Sequence, residues 1–133
     1  MLKKHFFKIA FLSWMVFVTW SSLFSFDDDD LPSFEIPHLD KAVHFIFYFV
    51  AVVLGILAKR EYSNGNSAYR KTLFSAFFAM VLFGIIIEVI QHVFTLDREG
   101  DVFDVLANSI GALLGVLAIN FFFSRNTRLN WRQ

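Results

Sequence analysis

Cysteine is absent from all 133 residues, and with it go disulfides, thiolate metal ligands and a cysteine nucleophile. Proline occurs only twice and glycine six times, which leaves long stretches without a helix breaker. Net charge is missing as well, because twelve Lys and Arg balance twelve Asp and Glu. A chain without a basic excess has no electrostatic footprint for nucleic acid, and that class of partner is excluded. Charged residues are 18% of the chain against 56% hydrophobic, with 19 Phe and a mean hydropathy of +0.55. A soluble domain this apolar would expose large patches and aggregate, so the chain belongs in a bilayer with lipids as its partners.

Four apolar runs, about 6–26, 42–58, 73–94 and 102–123, each approach the ~20 residues that cross ~30 Å of hydrocarbon. The fold expected is all-α: a four-transmembrane-helix antiparallel bundle, up-down-up-down through short links, forming a single membrane domain over 1–133. Ten of the twelve basic residues lie on one side of these runs: Lys3, Lys4 and Lys8 before the first, Lys59, Arg60, Arg70 and Lys71 between the second and third, and Arg125, Arg128 and Arg132 after the fourth. The positive-inside rule then places both termini in the cytoplasm, with these residues against anionic headgroups. The first run is too long for the roughly 7–15-residue core of a signal peptide, has no small-x-small cleavage site, and stays as an anchor. Asp27 to Asp30 end it; four adjacent like charges lack the alternating ligand spacing of a calcium loop. Pro32 and Pro37 then favour extended backbone along the outer surface.

The polar residues in and beside the helices carry the functional argument. Asp40 and His44 stand one turn apart at the start of helix 2, with Lys41 between them. Helix 3 carries Glu88, Gln91 and His92 on one broad face of its last third. Asp101, Asp104 and Asn108 form a stripe at the start of helix 4, and Arg98 lies just before it. Counted along the axes at ~1.5 Å per residue, His44, Glu88 and Asn108 fall within about 10 Å of the outer boundary. A carboxylate such as Glu88 costs about 2.5–3.5 kcal/mol at the centre of a membrane helix and marks a site by default. The plainer alternative is interhelical glue, at roughly 0.6 kcal/mol per polar contact. The combination favours a small outward-opening pocket: Glu88, His44 and Asp104 as the acid–base or orienting groups, with Asp40, Lys41, Gln91, Arg98, Asp101 and Asn108 as binding groups. Below Asn108, Gly111 and Gly115 make a small-xxx-small pattern that lets another helix approach closely, and Gly55 on helix 2 is a fainter analogue.

Pro37, Asp40-Lys41-xx-His44, Glu88-xx-Gln91, Arg98, Asp101, Asp104, Asn108, Gly111 and Gly115 together resemble the VanZ-like family of small bacterial membrane proteins, over about 31–119. His92 lies outside that pattern. The resemblance implies a multi-pass protein of the bacterial cytoplasmic (inner) membrane with a role in the cell envelope. It also implies a link to glycopeptide (teicoplanin) resistance through the family's founding member.

Two classes of activity stay open. One is recognition of an anionic or amphiphilic envelope molecule, with Lys41 and Arg98 as anion contacts. The other is an enzyme acting on a lipid-linked phosphate or other envelope substrate, with His44 or Glu88 as acid or base. No nucleophile is evident, since Ser109 sits about 100° round the helix from Asn108. A metal set of His44, Glu88, His92 and Asp104 would have two cations beside it, so no metal and no cofactor is expected. Glu88 as the carrier of a proton-coupled transporter is a third reading, weakened by the lack of charge deep in the inner half.

Overall fold

The computed structural model describes residues 5–24, 39–64, 67–94 and 101–125. They form four helices, α1 (Phe6–Leu23), α2 (Leu39–Tyr62), α3 (Tyr69–Phe94) and α4 (Val102–Arg125), with no strand among the described residues. All four are long and apolar enough to cross a membrane. Their lipid-facing positions include Leu12, Val16, Phe78, Leu82, Leu106 and Leu117, all exposed.

α2, α3 and α4 reach beyond the apolar runs because their ends are polar yet helix-compatible. α2 begins at Leu39 and continues to Tyr62, with Asp40 in its first turn and Lys59 and Arg60 in its last. That arrangement opposes the helix dipole at both ends. α1 stops at Leu23: Phe24 turns to extended backbone, its N–H donates to the Trp20 carbonyl at 3.0 Å, and its ring stacks on Trp20 at 4.0 Å. Asn64, with a positive φ of 49°, follows α2 as one of the few side chains that adopt the left-handed region readily.

Helices adjacent in sequence run antiparallel. α1 lies along α2, where Trp14 Nε1–H donates to the Phe47 carbonyl at 3.0 Å. Near the other end of that pair, the Glu61 carboxylate accepts the Phe7 and Lys8 N–H groups at 3.4 and 3.0 Å. These are orphan donors of the first turn of α1, so a side chain of α2 caps the N-terminus of its neighbour. The most extensive interface, however, joins α2 to α4, which run in the same direction. Gly111 and Gly115 face the backbone around Phe45 and Phe49, matching the four-residue step on each helix. The expected small-residue stripe thus seats α4 directly on α2. Around this contact gather Tyr48, Val52, Ile56 and Ala112, with Val18 from α1 and Met80 from α3.

Candidate functional site

Because α2 and α4 run in parallel, their first turns meet, and the antiparallel α3 brings its last turns to the same end. Seven of the polar residues singled out above converge there. Asp101 precedes α4, where its Oδ1 accepts the Phe103 N–H at 2.8 Å and caps the helix. Its Oδ2 accepts Lys41 Nζ of α2 at 2.9 Å, and its own N–H donates to Glu88 Oε2 of α3 at 3.3 Å. One residue therefore ties three helices together. Lys41 Nζ also lies 3.5 Å from Asp104 Oδ1. The Lys41 ammonium, and after it the Phe103 N–H, hold the Asp101 carboxyl below the usual carboxylate range.

Deeper in the bundle, His44 is 5% exposed and Asn108 1%. His44 Nδ1 stands 3.1 Å from Asn108 Oδ1. With the amide so oriented, Nδ1 carries the proton, since that oxygen can only accept. Nε2 then faces Asp40 Oδ1 at 3.7 Å and Asp104 Oδ2 at 3.9 Å. Three electron-rich atoms thus surround one point, a setting that favours a hydrogen-bond donor or a cation among them. Asp40, His44 and Asp104 each offer one ligand atom within 4.8 Å of the others, an oxygen and imidazole set suited to Zn or Mn. The Lys41 ammonium already supplies positive charge to Asp104 and opposes a divalent ion there.

Three buried polar atoms of this region have no hydrogen-bond partner among the described residues: Glu88 Oε1, Asn108 Nδ2 and Tyr48 Oη. Each such group in a buried place costs about 1–3 kcal/mol unless something satisfies it.

Gln91 has a different setting from the rest, because its amide donates to the Ser22 carbonyl and links α3 to α1. Arg98 lies outside the described residues, as do Asp27 to Asp30, Pro32 and Pro37. His92 is exposed on α3, and the carboxylate–imidazole cluster contains Asp40 in place of Glu88 and His92. Two residues of the site escaped the sequence reading. Tyr48 completes the four-residue stripe Asp40, His44, Tyr48 on α2 and lies within electrostatic reach of Glu88. Gly84, one turn before Glu88, leaves room for that ring: a Cβ there would stand 3.2 Å from both Tyr48 Cε1 and Asn108 Nδ2. The extension of each stripe by one further step of four was the available signal.

No curated protein and no solved structure matches the chain. A family model does, over residues 2–123, so that the match takes in α1 as well as the three helices of the polar cluster. With four helices able to cross a bilayer, this multi-pass membrane protein belongs to the VanZ/LLP1 family.

Proposed function

We propose that the cluster recognises the polar head of an amphiphilic cell-envelope molecule at the outer face of the bacterial cytoplasmic membrane, in a protein whose termini both lie in the cytoplasm. The charge asymmetry along the chain supports this orientation. The observation that carries the reading is the pair of unsatisfied groups buried at one end of the bundle, Glu88 Oε1 as an acceptor and Asn108 Nδ2 as a donor. A headgroup bearing hydroxyls or an amine supplies what they lack. An anionic head fits the described residues less well, because Lys41 is already paired with Asp101 and Asp104. Gln91 contributes from the α1 side, and Arg98 belongs to the binding set by its place in the sequence pattern. Envelope maintenance, including altered teicoplanin susceptibility, is the cellular role consistent with such a site.

One observation favours the enzyme reading: Asn108 orients the His44 ring through Nδ1 while Nε2 is presented to two carboxylates. That is an imidazole with a fixed orientation and one nitrogen left for proton transfer, as acid–base chemistry on a lipid-linked phosphate requires.

Native mass spectrometry of the purified protein, followed by incubation with labelled envelope lipids, separates the two. The binding reading expects stoichiometric retention of an envelope lipid, lost in Glu88→Gln. Product formation by wild type, abolished in the same variant, would replace it with the enzyme. Retention unchanged in both Glu88→Gln and Asp104→Asn would make the cluster structural.

A further inference from the structure

At the opposite end of the bundle, a cavity of about 450 Å³ opens between α1, α2 and α3. Its floor is made of small residues, Ala51 and Gly55 on α2 and Ala76 and Ala79 on α3, which form a trough beside the larger Phe11 and Met80. The polar side chains along it do not make it a polar site. Thr72 is buried, and the Ser75 hydroxyl is already bonded to the Thr72 carbonyl at 3.1 Å. From Ala51 to Lys59 the wall runs eight residues, about 12 Å at ~1.5 Å per residue. One leaflet is half of the ~30 Å hydrocarbon core, about 15 Å, so the trough covers most of the length of an acyl chain in a single leaflet.

The end of the trough is charged. Lys59 lines it, and its ammonium lies 5.5 Å from the centre of the Tyr62 ring. Lys8 of α1 lies 5.1 Å from the same ring. Arg70 and Lys71 stand exposed on the first turn of α3, at the same end. A trough that accepts hydrocarbon and ends among ammonium groups is complementary to a lipid with an anionic headgroup.

We infer that this groove is a binding site for one anionic phospholipid, with an acyl chain along Gly55, Ala76 and Ala79 and the phosphate at Lys59. The site is independent of the polar cluster at the other end and does not rest on the function proposed for it.

The test is native mass spectrometry of protein released from nanodiscs of equimolar phosphatidylglycerol and phosphatidylcholine. Wild type retains one phosphatidylglycerol in preference to phosphatidylcholine. Lys59→Gln lowers that preference about fivefold, the equivalent of about 1 kcal/mol for one basic residue at an anionic surface. Ala79→Phe fills the trough and loses both lipids, and Ser75→Leu, on an exposed face, is a second filling variant should Ala79→Phe not fold. Equal retention of the two lipids by wild type would overturn the inference. So would unchanged phosphatidylglycerol in the filling variants, or a dimer that disappears in them, since the occupant would then be a second copy of the chain.

Discussion

The Cα of Gly111 faces the main-chain carbonyl oxygen of Phe45 so closely that no Cβ fits between them. This contact brings α4 onto α2, and through it Asn108 onto His44, three residues before the glycine. A backbone carbonyl cannot swing aside as a side chain can, so any side chain at 111 must push the helices apart.

Gly111→Ala is therefore expected to destabilise the protein by about 1–3 kcal/mol, the usual range for overpacking. Gly55→Ala serves as its control. There the nearest atom is Phe11 Cε2 at 3.2 Å, the end of a ring that can rotate, and the effect is expected to stay within about 1 kcal/mol. Thermal unfolding in one detergent measures both. Equal losses would show that the α2–α4 approach is not the critical one.

Asn108→Leu removes the acceptor of a buried imidazole N–H, and Asn108→Asp keeps one. The first is expected to cost about 1–3 kcal/mol for the orphaned donor. The ring would also lose its fixed tautomer, which ¹⁵N chemical shifts of the imidazole report. Asn108→Asp should retain the Nδ1–H form. An unchanged imidazole spectrum in Asn108→Leu would mean that another group orients the ring.

These relationships were unevenly legible in the sequence. Asp40 with His44, and Asp104 with Asn108, could be read onto shared faces from spacing alone, because an α-helix fixes which residues stack. That His44 would meet Asn108 across a parallel pair could not be read. Lipid tails are as apolar as leucine, so the hydrophobic pattern of a membrane helix does not say which other helix it touches. Gly111 and Gly115 announced a close approach without naming α2 as the partner. Tyr48 was hidden because a tyrosine within an apolar run reads as core, and only its position one turn below His44 sets it apart. Likewise, the Ser22 carbonyl that receives Gln91 is a main-chain group, and no side-chain pattern points to it.

The Lys41–Asp101 pair gives a pH dependence whose sign follows from the lowered Asp101 pKa. A carboxyl held lower in the folded state stabilises the fold above its unfolded value, about 3.9, and loses that contribution as pH falls through the folded one. Wild type is thus expected to melt above Lys41→Gln at pH 6 to 7, with the gap narrowing as pH drops below about 4. Both groups are partly exposed, and the gap should shrink in high salt. A gap independent of pH would assign the effect of Lys41 to packing, for instance against the Phe103 ring 5.9 Å away.

Tyr48→Phe separates stability from recognition. The Tyr48 hydroxyl is fully buried and has no hydrogen-bond partner among the described residues, although the ring itself sits in the core. Removing only the oxygen takes away an unsatisfied polar group and leaves the packing with Phe83 and Gly84 in place. The variant is expected to be as stable as wild type or more so, by up to about 1–3 kcal/mol. If the hydroxyl is kept to meet a headgroup, retention of the envelope lipid should fall in the same variant, as in other sites where a strained or unsatisfied group is held for function. Higher stability with undiminished retention would remove Tyr48 from the site and leave Glu88, Asp104 and Asn108 as its floor.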